Sequence, residues 1–89
     1  MTHLSDNFML ETLAKVQPLQ LEIYKHLLGA HLDTHVHDDI FNTGEHSLDF
    51  DLYVFDGHEL VKTFEFNSGD TEEEVLAELT RLTAYVHSL

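Results

Sequence analysis

Cysteine is missing from this sequence, and basic residues are scarce, with four Lys and Arg against seventeen Asp and Glu. Without cysteine the chain can form no disulfide framework and offers no thiolate. No run of about 18 apolar residues occurs, so we expect no transmembrane helix. The N-terminal MTHLSDNF lacks the basic and apolar regions of a signal peptide, so we expect a cytoplasmic protein.

The scarcity of basic residues makes the net charge strongly negative. The formal charge is −13 at pH 7, and residues 33–74 alone contain thirteen acids against one base, Lys62. Such a field repels nucleic acid and anionic lipid and attracts basic protein surfaces. We therefore expect a partner with a basic protein surface, no direct binding of nucleic acid and no binding to membranes.

Glycine is also infrequent, at four residues, and none of them forms a Gly-rich phosphate-binding loop. The spacing of the polar residues reveals no set of nucleophile, base and orienting group, so we expect neither enzymatic activity nor a cofactor. The 89 residues suffice for one modest core, and the apolar content of 43% is ordinary for a globular chain. The sequence predicts a single domain over residues 1–89.

The stretch from Ser47 to Phe66 organises the predicted fold. Its apolar residues lie at alternate positions on both sides of Asp56-Gly57, a pattern typical of two strands joined by a hairpin turn. Lys62 falls on the same face and must extend to its edge. The apolar residues of the two strands are Leu48, Phe50, Leu52, Val54, Leu60, Phe64 and Phe66.

The length of the turn decides which residues of the hairpin face each other. A three-residue loop with Gly57 in the left-handed conformation pairs even with even positions and keeps the apolar side chains on one face. A slip by one residue would expose that whole face, so we expect the three-residue loop. In this register Leu52 lies opposite Leu60, and Leu48 lies opposite Phe64.

An N-terminal helix is predicted over about residues 6–28. Ser5 or Asp6 can cap it, and apolar residues follow at helical spacing until the stop signal at Gly29. Pro18 lacks an N–H donor and its ring crowds the preceding turn, so we expect an interrupted helix.

A first strand precedes the hairpin. Leu32, Thr34 and Val36 alternate with histidine and aspartate over residues 31–37, which indicates a strand with one polar face. Asn42–Glu45 resembles a turn that would return the chain into the hairpin. Three sequential strands with such short connections favour an antiparallel meander.

The C-terminal helix has the clearest start signal. Asp70 with Glu73, or Thr71 with Glu74, matches the capping-box pattern. The predicted fold class is therefore α+β in the order αβββα, with an interrupted N-terminal helix, a three-stranded antiparallel meander and a C-terminal helix. Both helices should cover one face of the sheet.

A group of histidines is the first candidate site. Five of the eight histidines lie between residues 31 and 58, among several aspartates. Two histidines at i and i+2 on a strand project to the same face and can ligate zinc with a third ligand. The alternatives are a solvated polar strand face and a pH-responsive surface, because histidine gains charge near pH 6–7. The candidate metal ligands are His31, Asp33, His35, His37 and His46.

The concentration of acids is the second candidate site. Aspartates on the hairpin alternate with its apolar residues and so lie on the opposite face, where they could form a continuous acidic docking surface for a basic partner. The alternative is a surface that only confers solubility. The candidate partner-binding residues are Asp49, Asp51, Tyr53, Phe55, Asp56, Glu59 and Glu65.

Apolar side chains on that same face form the third candidate. Tyr53, Phe55 and Val61 fall opposite the predicted core, and one layer of helices would leave them partly exposed. Such a face, or an edge strand, could join two copies of the chain in a homodimer. The alternative is that the N-terminal helix wraps round and covers the face.

In size, charge and element order the chain resembles small acidic α+β proteins, among them phage-encoded inhibitors of host nucleases and many uncharacterised bacterial proteins. In its strong form, the predicted acidic docking surface mimics nucleic acid and occupies the DNA- or RNA-binding groove of its partner. The hypothesis is therefore a non-enzymatic acidic interaction module. The alternatives are a metal- or pH-sensing domain that uses the histidines, and a homodimeric bacterial domain.

Overall fold

The computed structural model describes residues 3–39 and 45–89. Its elements are helix α1 (Asp6–Lys25), strands β1 (Gly29–Asp39), β2 (Glu45–Asp56) and β3 (Glu59–Phe66), and helix α2 (Glu72–Ser88). The strands form one antiparallel sheet in the order β1-β2-β3. The predicted α+β fold in the order αβββα is confirmed. Residues 42–44 of the predicted turn lie outside the described residues, and Glu45 begins β2.

Helix α1 is continuous where we expected an interruption. It begins with Ser5, whose hydroxyl accepts a hydrogen bond from the N–H of Phe8 at 3.2 Å, and it passes through Pro18 without ending. Proline at this position removes the hydrogen bond to the carbonyl of Ala14. Because Ala14 and Pro18 are both exposed, water can satisfy that carbonyl and the helix continues.

The end of α1 also differs from the prediction. The helix ends at Lys25, and Leu27 adopts the left-handed conformation with φ 63°, although its side chain is 94% exposed. After a helix, the residue in this conformation is usually glycine. Gly29, the predicted stop signal, instead begins β1.

Helix α2 begins with a complete capping box. The hydroxyl of Thr71 accepts a hydrogen bond from the N–H of Glu74, and the Glu74 carboxylate accepts one from the N–H of Thr71, each at 3.1 Å. Of the two predicted capping boxes, the structure therefore contains the one formed by Thr71 and Glu74. Within the described chain, neither helix is long and apolar enough to cross a membrane.

The hairpin of β2 and β3 has a shorter turn than predicted. Asp56 pairs with Glu59, so only Gly57 and His58 form the loop, and Gly57 has the expected left-handed φ of 63°. A β-bulge then shifts the register next to Val54, which restores the pairing of even with even positions. The extra residue therefore sits in the strand and not in the turn.

The bulge changes which side chains meet. Leu52 lies opposite Phe64, so the predicted pairing of Leu52 with Leu60 and of Leu48 with Phe64 is wrong. Leu48 pairs with Val36 on β1 instead. Leu60 lies before the bulge, opposite Phe55, and therefore turns away from the core; its side chain is 50% exposed.

The core lies between the helices and one face of the sheet, as expected. Helix α1 contacts β1 and β2, and α2 contacts β3. Lys62 lies opposite Val54 on this face and remains exposed, with its Nζ 6.0 Å from the ring centroid of Tyr85. The lysine therefore extends to the edge as predicted. The buried apolar residues are Met9, Val16, Ile23, Ala30, Phe50, Leu52, Val54, Phe64, Phe66, Val75, Leu82 and Val86.

Candidate functional site

The sheet has a second face, turned away from the helices, which we call the outer face. Side chains alternate between the two faces along each strand, so the odd-numbered residues of β1 and β2 share this face with their cross-strand partners on β3. The outer face consists of His31, Asp33, His35 and His37 on β1, Ser47, Asp49, Asp51, Tyr53 and Phe55 on β2, and Leu60, Thr63 and Glu65 on β3.

Three carboxylates form a row across the middle of the outer face. Asp33 lies opposite Asp51, and Asp51 lies opposite Glu65, one residue from each strand. Neighbouring strands are about 4.8 Å apart, so the three like charges are close neighbours. The negative charge of Asp51 raises the pKa of Tyr53, and desolvation and the hydrogen bond to Asp51 raise it further. We call these three residues the acidic row.

The positive side chains of the chain lie elsewhere. Two lysines belong to α1 and Arg81 belongs to α2, whereas Lys62 lies on the helix side of β3. Lys25 pairs with Glu22 at 2.8 Å, and Arg81 pairs with Glu78 at 2.6 Å. The acidic row therefore has no lysine or arginine on its own face of the described sheet.

Asp49 has a structural role that its position in the sequence does not reveal. Its Oδ1 accepts hydrogen bonds from the backbone N–H and the hydroxyl of Ser68, at 2.7 and 2.8 Å. Ser68 is almost fully buried in the connection between β3 and α2, and its carbonyl accepts a hydrogen bond from the N–H of Leu4. Asp49 thus fixes this connection, and only part of its carboxylate faces solvent. No motif in the sequence links these residues.

The histidines of the outer face lie next to its aspartates. The Nε2 atoms of His35 and His37 lie 3.5 and 3.2 Å from the carboxylates of Asp51 and Asp49 on β2. The rings of His35 and His37 are stacked with centroids 6.4 Å apart. A third contact of 3.5 Å joins His31 to the aspartate two residues further along β1. Protonation of these rings would place positive charge directly beside the carboxylates.

The proposed metal ligands do not come together. His46 lies on the helix side of β2, where its Nε2 is 2.6 Å from Oδ2 of Asp6. The other four candidates lie on the outer face, so His46 cannot complete their coordination sphere. Among the described residues there is no group of three His, Cys, Asp or Glu side chains arranged to hold a metal ion.

One end of the outer face is apolar. Tyr53 and Phe55 are partly exposed on β2, and Leu60 and Val61 are exposed on β3 beside them. The ring of Tyr53 stacks on His31 with centroids 6.5 Å apart. Neither helix covers this patch, contrary to the alternative considered for α1. Leu60 was assigned to the core from its alternation, because a bulge is not visible in the sequence.

Two of the predicted partner-binding acids lie outside this face. Asp56 and Glu59 pair with each other beside the turn, and the alternation along β2 points Asp56 to the helix side. Both residues are exposed. The acidic surface therefore does not continue through them, and it includes Asp33, which the sequence suggests only as a metal ligand.

A shallow cleft adjoins the acidic row at Glu65. It is lined by residues from the end of β3, the following connection and the side of α2, namely Glu65, Asn67, Asp70, Glu74, Ala77, Glu78 and Arg81. The hydrogen bond from Arg81 lowers the pKa of Glu78, and the N–H of Glu65 contributes in the same direction. Four carboxylates against one paired arginine extend the negative surface beyond the sheet.

Comparison with known proteins assigns no family to this arrangement. The chain matches no protein-family model, no curated protein and no solved structure.

Proposed function

We propose that the protein is a small, non-enzymatic interaction module that binds a basic protein surface through its outer face. The observation that carries the proposal is the acidic row, in which Asp33, Asp51 and Glu65 share one line across the sheet and face no lysine or arginine. Like charges at directly opposed positions destabilise a sheet. A bound cation from a partner would relieve that repulsion.

The chemistry of the face favours arginine in the partner. A guanidinium can donate hydrogen bonds to two carboxylates at once through its planar set of N–H groups. Tyr53 and Phe55, beside the row, offer aromatic surface for the aliphatic or planar parts of the same side chain. In the stronger form of the proposal, the partner's basic surface normally holds nucleic acid, and the protein acts as an inhibitor by occupying it.

Two variants with the same net charge test the proposal. Asp33→Asn/Asp51→Asn/Glu65→Gln neutralises the acidic row, and Glu11→Gln/Glu72→Gln/Glu73→Gln removes three exposed charges from the helices. Proteins captured from a lysate at low salt identify the partner, and calorimetry with that purified partner gives the affinity. We expect the row variant to weaken binding at least about tenfold, and the helix variant to change it much less.

Several outcomes would contradict the proposal. Equal weakening by both variants would show that only net charge matters, and affinity that does not fall with added salt would exclude an electrostatic interface. If the partner binds duplex or single-stranded nucleic acid, a competition assay between that nucleic acid and the protein tests whether the protein acts as a mimic. Simultaneous binding of the protein and the nucleic acid would exclude mimicry while leaving the docking face intact.

A second candidate function is proton sensing, and the histidine–aspartate contacts of the outer face favour it. Protonated histidines beside Asp49 and Asp51 would partly neutralise the face, so affinity for a basic partner should fall in acid. A variant with His31, His35 and His37 replaced by Gln should lose that pH dependence. An unchanged pH profile in the variant would assign the dependence to the partner.

A further inference from the structure

Strand β1 is an edge of the described sheet, and α1 covers only its beginning. The carbonyl of Ala30 accepts hydrogen bonds from Nε2 of Gln20 at 2.9 Å and from Oη of Tyr24 at 2.7 Å. It therefore points away from β2. Backbone groups alternate in direction along an antiparallel strand, so the N–H and C=O groups of every second residue after Ala30 also point away from β2. These residues are Leu32, Thr34 and Val36.

The opposite edge of the sheet is covered. On β3, the N–H of Glu65 donates to Oε2 of Glu78 at 3.1 Å, and the carbonyl of Thr63 accepts from Nη2 of Arg81 at 3.0 Å. Side chains of α2 thus occupy the middle of that edge. Exposed strand edges readily pair with another strand, and proteins commonly protect them in this way. The β1 edge can therefore pair with a further strand, whereas side chains of α2 block the β3 edge.

Apolar side chains line the unprotected edge. Val36 lies on the helix side of β1, but its side chain is 71% exposed. On α1, Leu10, Leu21 and Tyr24 are each more than half exposed. Their spacing places them on one stripe of the helix, on the side from which Tyr24 reaches the edge of β1. Helix and strand thus both present exposed apolar side chains along this border.

We propose that two copies of the chain associate through β1 and form a continuous six-stranded sheet. The strands pair antiparallel, with Thr34 on the two-fold axis. Leu32 then lies opposite Val36 of the second copy, which covers the exposed valine. On the outer face, Asp33 lies opposite His35 of the second copy, so the two outer-face pairs nearest the axis each combine a carboxylate with an imidazole.

Charge and polarity favour this register over its neighbours. With Asp33 on the axis, two aspartates would lie side by side, which destabilises an antiparallel pair. With His35 on the axis, Leu32 would lie opposite Asp38 and lose its apolar partner. Of these three registers, only the one centred on Thr34 places Leu32 opposite Val36 and Asp33 opposite His35.

The spacing of the helices agrees with the proposal. Helix α1 lies over β1 and β2, so the two copies of α1 would be separated by two strand spacings. This distance is about 10 Å, which is the usual separation of packed helices. The exposed stripe of one α1 would therefore face the same stripe of the other. We call the pairing of the two β1 strands the seam. The helices would then bury Leu10, Leu21 and Tyr24 between them, in a layer above the seam.

The proposed dimer does not depend on the proposed function, because the seam leaves the outer face open. It would place two acidic rows on one surface. Each copy has a formal charge of −13, so the copies repel each other at low ionic strength. We therefore expect association to strengthen with added salt, the opposite of the dependence expected for a basic partner.

Disulfide cross-linking tests the register directly, because the chain contains no cysteine of its own. In Thr34→Cys, the two copies of residue 34 would have their Cα atoms about 5.5 Å apart, within the range that a disulfide spans. We expect a covalent dimer under mild oxidation, and none for the control Thr80→Cys on the exposed side of α2. Equal cross-linking of both variants, or faster cross-linking of His35→Cys, would overturn the register.

Sedimentation at high salt tests the interface without new covalent bonds. We expect the wild type to dimerise, and Val36→Lys and Leu21→Lys to raise the dissociation constant at least about tenfold, since each removes an apolar contact at the seam. Leu76→Lys, at an exposed position of α2, makes the same charge change and should leave it unchanged. A monomeric wild type, or equal effects of Leu21→Lys and Leu76→Lys, would overturn the proposal.

Discussion

Asp51 of β2 and Glu65 of β3 lie directly opposite each other on the outer face of the sheet, so two like charges share one cross-strand position. Asp33 extends the same line on β1. A sheet gains nothing from this arrangement, because opposed like charges reduce its stability. The row is thus a local conflict within the fold, and such conflicts are expected mainly at functional sites.

Neutralising the centre of the row should stabilise the protein. Asp51→Asn keeps the shape of the side chain and removes repulsion from both neighbours, so we expect the free energy of unfolding to rise by about 0.5 kcal/mol. Chemical denaturation measures the change. Glu72→Gln makes the same charge change on α2 and should give no increase, because acids in the first turn favour the helix. An equal increase in both variants would assign the effect to net charge.

The same substitution should change the ionisation of Tyr53. The charge of Asp51 is the largest cause of the raised Tyr53 pKa, so in Asp51→Asn the pKa should move down towards its ordinary value. NMR titration can follow Tyr53 separately from Tyr24 and Tyr85. An unchanged Tyr53 pKa would mean that the two side chains do not interact as the structure indicates.

Asp49 should matter for stability more than the other acids of the outer face. In Asp49→Ala, the N–H and hydroxyl of buried Ser68 lose their acceptor, so we expect a loss of about 2 kcal/mol in the free energy of unfolding. Asp49→Asn retains an acceptor oxygen and should cost less. The exposed Asp56→Ala serves as a control within about 0.5 kcal/mol of wild type. Equal stability of the two alanine variants would refute the structural role.

Leu27→Gly should stabilise the end of α1. A side chain in the left-handed conformation costs about 1 kcal/mol or more, and the exposed Leu27 side chain contributes little burial in return. We expect Leu27→Gly to raise the melting temperature and Leu27→Ala, which retains a Cβ atom, to leave it nearly unchanged. Similar results for both variants would contradict the assigned conformation.

The Glu78–Arg81 pair should contribute a pH-dependent part of the stability. Because Arg81 lowers the pKa of folded Glu78, the contribution is fully present above the ordinary glutamate pKa of about 4.3 and is lost as the pH falls through the lower folded value. The stability difference between wild type and Glu78→Gln should therefore shrink in that acidic range. Urea denaturation at several pH values measures it. In an Arg81→Gln background the pH dependence of this difference should diminish, and its persistence would point to another partner.

Local patterns were sufficient for much of the fold. The alternation in the central hairpin identified its core face, and the Asp56-Gly57 turn located the hairpin. The capping box at Thr71 and Glu74 located the start of α2. These features depend on neighbours within a few residues, so they can be derived from sequence periodicity and backbone preferences.

Other features required contacts between distant parts of the chain. Because of the bulge beside Val54, Leu60 lies outside the core. The carboxylate of Asp49 accepts a hydrogen bond from the N–H of Ser68, far along the chain. His46 contacts Asp6 and lies on the opposite face of the sheet from the other histidines of the candidate metal site. None of these positions has a local signature, because each is decided by which element packs beside it.

The sequence by itself determined the element order, the core face of the hairpin and the concentration of acids on the strands, since these follow from alternation and composition. Only the tertiary structure decided that Asp33, Asp51 and Glu65 form one row, because strand register sets which residues become neighbours. It also decided that α2 covers the edge of β3 while most of the β1 edge remains open in the described sheet. Helix placement, which depends on packing between distant residues, is the physical reason for that difference.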